Sequence, residues 1–336
     1  MTTPALFQEK LPDGAVRCSL CAHRCRIVPG KRGICRVREN RGGTLFSLVY
    51  GKLVAASVDP IEKKPLYHFQ PGSLSYSIAT AGCNMSCTHC QNYQISLEAP
   101  KRDPIPGNRT TPEEVLQAAV RTGCRSISYT YTEPAVFMEF ARDCGVLAHE
   151  EGLSNVFVTN GFMTGESTRF AGEFLDAANV DLKGATEEHY RKICGAALAP
   201  VLETIETLHE IGVWLEVTTL LIPGLNDDRG ALEFIAGFIA SVDTKIPWHI
   251  SRFHPTYKMT DRPPTPVESL QLAEKIGQEA GLKYVYLGNV SLGEDITRCS
   301  ACEAPLIVRL GFSVTENRIT DQGTCPGCGA EFDGIP

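Results

Sequence analysis

No stretch of the 336 residues approaches the ~18–20 uncharged apolar residues of a spanning helix, so a membrane protein is not expected. The first twenty residues carry Glu9, Lys10, Asp13 and Arg17 with no apolar run between them, which does not read as a secretory signal and points to the cytoplasm. Basic charge is not in excess: 32 Lys and Arg stand against 39 Asp and Glu, and no basic block stands out. A general nucleic-acid-binding surface is therefore not expected. Internal repeats and low-complexity tracts are also missing, leaving a globular chain long enough for two ordinary domains or one α/β barrel with attachments.

Cysteine is what the chain has in abundance. In a reducing compartment its 14 copies serve metal ligation, redox chemistry or burial. Eleven fall into three groups: Cys18, Cys21, Cys25 and Cys35; then Cys83, Cys87 and Cys90; then Cys299, Cys302, Cys325 and Cys328. Cys124, Cys144 and Cys194 stand alone and read as structural.

Between Ser75 and about Asn289, short strand-like runs alternate with amphipathic helical stretches. The runs are Ser75–Ala81, Ser126–Tyr131, Asn155–Asn160, Ala178–Lys183, Trp214–Ile222, Trp248–Phe253 and Tyr284–Leu287. Thr111-Pro112-Glu113-Glu114 and Thr265-Pro266-Val267-Glu268 each read as a capping box with proline at the first helical position, and Gly123 and Gly281 as helix stops. Repeated strand-helix units imply parallel strands with right-handed crossovers, and function at the strands' C-terminal ends. Ahead of this core, Leu45–Val58 alternates around Gly51-Lys52 and reads as a β-hairpin. The expected domains are a Cys-rich segment with hairpin over 1–72, a partial (β/α)6-type barrel over 73–295, and a tail over 296–336 too short for its own apolar core.

The middle group, Cys83-Asn84-Met85-Ser86-Cys87-Thr88-His89-Cys90, follows the first barrel strand directly. Three thiolates on one loop suit a 4Fe-4S cluster with one iron left open for chemistry. A zinc knuckle completed by His89 is the structural alternative. The C-x3-C-x2-C spacing with a ring at His89 resembles the signature of the radical S-adenosylmethionine (SAM) superfamily. That resemblance implies an open iron chelated by SAM, reductive SAM cleavage, and a 5′-deoxyadenosyl radical that abstracts hydrogen. It also implies cofactor contacts at the strand ends. Glu133, with Thr132 beside it, stands where the family usually has a Gly-Gly-Glu stretch for the methionyl ammonium, although the glycines are absent and Glu133 also reads as an acid at a helix start. Asn160 ends the third strand. Asp181 and Lys183 share one face of the fourth and suit a ribose hydroxyl and a carboxylate, or form a solvated ion pair. His254, after the sixth, reads as a cofactor or substrate contact, or as a satisfied loop histidine.

At the tail, Cys299-x2-Cys302-x22-Cys325-x2-Cys328 reads as a structural zinc ribbon. The N-terminal Cys18-x2-Cys21-x3-Cys25-x9-Cys35 accepts zinc or an auxiliary iron-sulfur cluster. Its basic neighbours, His23, Arg24, Arg26, Lys31, Arg32, Arg36 and Arg38, form a solvated face, lower the thiolate charge or receive an acidic electron donor such as flavodoxin or ferredoxin.

Taken with Asp59–Leu66 and Tyr129–Pro134, these motifs resemble the AmmeMemoRadiSam system radical SAM enzymes, relatives of pyruvate formate-lyase activating enzyme, over about residues 15–290. The resemblance implies Memo-type and AMMECR-type partner proteins and leaves the substrate open. A glycyl-radical activase and a non-catalytic iron-sulfur or zinc carrier are the alternatives.

Overall fold

A computed structural model describes residues 3–336, leaving the first two residues of the expected 1–72 segment outside the description. Seven parallel strands lie side by side in chain order: β1 (Leu74–Thr80), β2 (Ser126–Tyr129), β3 (Ser154–Thr159), β4 (Ala177–Asp181), β5 (Trp214–Leu221), β6 (Trp248–Arg252) and β7 (Val285–Gly288). Parallel neighbours need crossovers, and six helices supply them: α1 (Pro112–Arg121), α2 (Met138–Glu150), α3 (Gly165–Gly172), α4 (Ala199–Glu210), α5 (Arg229–Val242) and α6 (Val267–Glu279). The result is six strand-helix units and a seventh strand. The sheet stays open, its edges being β7 and the short strand Asn108–Arg109. Ile127, Val180, Val217 and Ile250 on the strands and Phe140, Ala171, Ile205, Ile235 and Ile276 on the helices share one core. No helix among the described residues is long and apolar enough to cross a membrane.

The helix ends separate two sequence readings. Thr111 caps α1 as expected: its hydroxyl accepts from Glu114 N, and the Glu114 carboxylate accepts from Thr111 N. Thr265 does not cap α6. Its hydroxyl donates to Leu221 O at 2.5 Å and accepts from Phe253 N at 2.8 Å, tying the ends of β5 and β6 together.

The expected hairpin over Leu45–Val58 is corrected as well. Arg38–Arg41 and Thr44–Ser47 form the hairpin, turning at Gly42 and Gly43, both at positive φ as a tight turn requires. Lys52–Pro60 instead runs antiparallel along β1, where its longest partner lies.

The tail forms a three-stranded antiparallel sheet, Glu294–Arg298, Pro305–Leu310 and Ser313–Asn317, over a small core of Leu306, Ile307, Phe332, Cys299 and Cys325. It is clamped to the barrel. The Asp333 carboxylate accepts from Lys245, Tyr284 and Ser300 at 2.6–2.7 Å, and the fully buried Arg309 donates to Tyr67 O.

Candidate cluster and cofactor site

The C-terminal strand ends surround a cavity of about 690 Å³, a size suited to a small-molecule site. Its floor is the loop after β1. Gly82 opens that loop at φ 112°, where an added Cβ would stand 2.7 Å from Val37, so glycine is required. The loop is pinned from three sides: Asn92 Nδ2 donates to Tyr131 O, Ser86 N to Cys194 O, and Lys258 N to Thr88 O, at 2.8–3.1 Å. Cys83, Cys87 and Cys90 all line the cavity.

Burial pushes the Cys83 and Cys90 thiols above their ordinary values, Glu133 adding to the effect at Cys83. Ligation of a metal would offset that penalty, because a coordinated thiol is deprotonated outright. Cys87 is held lower, chiefly by the Cys194 thiol against it. Cys194 is a buried core residue, as read from the sequence, and no local pattern signals its place beside Cys87.

Tyr131 follows the end of β2. It holds φ 61°, a left-handed conformation costly for a bulky residue, and its hydroxyl donates to Asp59, which also binds Lys63 and Lys64 at 2.7–2.8 Å. This turn aims Glu133 into the site, 1 % exposed. Glu133 accepts from Ala135 N at 3.1 Å, Asn160 N at 2.8 Å and Thr159 Oγ1 at 2.7 Å, yet burial still lifts its carboxyl to about 7. Thr132 lines the cavity, with its hydroxyl donated to Thr80 O.

Asn160 reaches the cysteine loop, donating to Asn84 Oδ1 at 2.8 Å and toward Cys83 Sγ at 3.6 Å. Asp181 and Lys183 form a 2.7 Å pair on the cavity wall. Burial works against the Lys183 charge, but Asp181 and the Cys87 thiol hold it well above the ordinary lysine range. His89 is buried at the cavity with Nδ1 unpartnered; desolvation, with Lys183 and His189 nearby, lowers its pKa to about 3.

His254 is the exception among the expected residues. Phe253 turns inward after β6, so His254 points to solvent and does not line the cavity. Residues to which the sequence assigned no role do line it: Lys64, the Glu216-bonded His249, and Phe312 from the tail.

The remaining cysteine groups do not line this cavity. Cys299, Cys302, Cys325 and Cys328 bring four ligand atoms within 4.8 Å of one another, a set able to hold one metal ion. Cys18, Cys21, Cys25 and Cys35 line a second, smaller cavity. Cys124 and Cys144 are buried.

Residues 77–235 match the family model described as the Radical SAM superfamily. The chain is 46 % identical over 332 residues to an uncharacterized protein of Methanocaldococcus jannaschii, spanning 98 % of each chain. It is 22 % identical over 167 residues to the pyruvate formate-lyase-activating enzyme of Clostridium pasteurianum, across 48 % of this chain and 67 % of that one. Among solved structures, a radical SAM methyltransferase from Sphaerobacter thermophilus shares the fold with a TM-score of 0.52 and 17 % identity, over 67 % of this chain and 68 % of the other.

Proposed function

Because the chain belongs to the radical SAM superfamily and is an enzyme of it, we propose that Cys83, Cys87 and Cys90 hold a 4Fe-4S cluster at which SAM is reductively cleaved. When bound, cluster and SAM supply homolysis of the sulfonium bond, giving methionine and a 5′-deoxyadenosyl radical for hydrogen abstraction from a substrate. The observation that carries the reading is the sharing of one cavity: three loop thiols, the Glu133 carboxylate and the Asp181–Lys183 pair all face it. Three thiols leave one iron without a protein ligand, which a non-catalytic carrier would not need.

The chain's own residues then divide the work. Glu133, held by three internal donors, keeps a lone pair for the methionyl ammonium, with Thr132 walling that corner. Lys183 and Asp181 offer a cation and an acceptor to a carboxylate and a ribose hydroxyl. Asn160 fixes the cluster loop through Asn84, and the unpartnered His89 Nδ1 offers one more polar contact. Other lining residues, among them Lys64, His249 and Phe312, are left to the substrate. His254 has no part in this site.

Zinc suits the four tail thiols, and a reducing cytoplasm suits fourteen unpaired cysteines. Flavodoxin or ferredoxin is the proposed reductant. Resemblance alone supports Memo-type and AMMECR-type partners acting on an as yet unidentified substrate. Likeness to a pyruvate formate-lyase-activating enzyme supports a second reading, hydrogen removal from a glycine of a partner protein.

The test is 5′-deoxyadenosine formation by the reduced protein, alone and with each partner class. C83A/C87A/C90A abolishes it on this reading, and turnover surviving in that variant refutes it. Stimulation by Memo-type and AMMECR-type proteins without a protein radical favours the first reading. A persistent glycyl radical on a partner favours the second.

A further inference from the structure

The two outer cysteine sets are built to different spacings. In the tail, Cys299–Cys328 and Cys302–Cys325 each stand 3.7 Å apart, close to the edge of about 3.8 Å of a tetrahedron with Zn–S arms of ~2.3 Å. Among the described residues, only this set brings three or more metal-ligating atoms within 4.8 Å of one another. Cys18, Cys21, Cys25 and Cys35 nevertheless converge on one cavity. Neither they nor Cys83, Cys87 and Cys90, which also surround a cavity, bring three thiols within 4.8 Å of one another. A single ion draws its thiolates together, whereas a cube gives each thiolate a separate iron and holds them apart.

The cavity is also prepared for an anion. Arg38, 1 % exposed, lines it with Nε unpartnered, while its Nη1 points at Cys18 Sγ from 3.9 Å and its other end is fixed by Glu139. A buried guanidinium aimed at the sulfurs suits thiolates carrying the charge of a cluster.

We infer that Cys18, Cys21, Cys25 and Cys35 hold a second 4Fe-4S cluster, ligated on all four irons and so an electron carrier with no open iron for SAM. It adjoins the first cluster's loop: the His23 ring bonds Asn84 O at 2.7 Å, and Cys35 O lies 3.3 Å from where a Gly82 Cβ would stand. One electron leaves the reduced carrier and one arrives at the cluster on Cys83, Cys87 and Cys90, with no bond made or broken. A low-potential one-electron protein donor re-reduces the carrier, and the exposed Arg24, Lys31 and Arg36 beside the site suit an acidic one. The relay rests on the reading of the Cys83 loop given above, and the experiment separates the two.

Iron, sulfide and zinc are measured after anaerobic reconstitution of the full chain, of C83A/C87A/C90A and of C21A/C25A. Each variant retains half the iron and sulfide of the parent with unchanged zinc, and each gives a reduced-cluster electron paramagnetic resonance signal. SAM alters the signal of C21A/C25A only. A triple variant without iron and with additional zinc overturns the inference. Equal iron in parent and triple variant faults the Cys83 reading and leaves this one standing. Should C21A/C25A fail to fold, the triple variant, which keeps the N-terminal site intact, decides alone. Where C21A/C25A folds, reduction of its remaining cluster by reduced flavodoxin slows by an order of magnitude, and an unchanged rate overturns the relay.

Discussion

Glu133 is asked to be two things whose demands on its charge differ. As the cap of the turn Pro134–Phe137 and acceptor for Asn160 N and Thr159, it is satisfied inside the protein; in its proposed role toward the methionyl ammonium it must be ionised. Burial raises its pKa from 4.5 to about 7, so between these values the folded state keeps a proton that the unfolded chain has shed. Stability of the SAM-free protein therefore falls as pH rises across that window, by about 1.4 kcal/mol per unit of pKa difference, and levels off above about 7. E133Q removes this slope in chemical denaturation. SAM affinity runs the other way, rising as Glu133 ionises, and E133Q flattens it while weakening binding by about 1.5–3 kcal/mol, measured by isothermal titration. The Asp181–Lys183 pairing was legible because strand side chains alternate, whereas Glu133, beyond the end of β2, was singled out only through the resemblance. His254 does not reach the cavity because Phe253 takes the inward place after β6 and leaves it exposed. Cys194 was not legible, since its contact with Cys87 joins positions over a hundred residues apart with no local pattern.

At the scale of elements, all seven strands and the cap of α1 follow from local chemistry: apolar runs bounded by turn residues, and a threonine three places before a glutamate. What local chemistry cannot supply is a partner. Lys52–Pro60 alternates as a hairpin arm would, but β1 offers it a longer ladder than Thr44–Ser47 does. Thr265 carries the same cap signature as Thr111, but adjacent strand ends claim both hydroxyl functions. The two threonines should therefore differ on substitution. T111A costs about 1 kcal/mol, the usual loss of an exposed cap. T265V leaves Leu221 O and Phe253 N buried without their partner and costs about 1–3 kcal/mol, with hydrogen exchange rising at the ends of β5 and β6 rather than at α6. Equal effects in thermal melts, or exchange confined to the first turn of α6, would show that Thr265 is a cap after all.

At the scale of the whole molecule, the tail is a wall of the barrel's cavity as much as an appendage. Arg309 is fully buried, lies 4.4 Å over the Tyr67 ring and stands 3.8 Å from the Glu62 carboxylate, which pairs with no other cation among the described residues. Burial already raises the Glu62 pKa against the pull of Gly72 N and Arg309. Glu62, Tyr67 and Phe312 line the cavity. On the reading that the four tail thiols hold a metal, its loss by chelation or C325A reaches the cavity through Arg309: the small core of Leu306, Ile307 and Phe332 loosens, and Glu62 is left as an unpaired buried acid. R309M isolates that step without touching a metal ligand. The expected outcome is a split. SAM affinity and basal 5′-deoxyadenosine formation stay near the parent's, because Glu133, Asp181, Lys183 and the cysteine loop are untouched. Stimulation by the true substrate or partner is lost, and hydrogen exchange rises over Tyr67–Phe69 and Pro305–Leu310. If R309M instead lowers SAM affinity and basal turnover together with stimulation, the tail supports the whole barrel rather than its substrate wall.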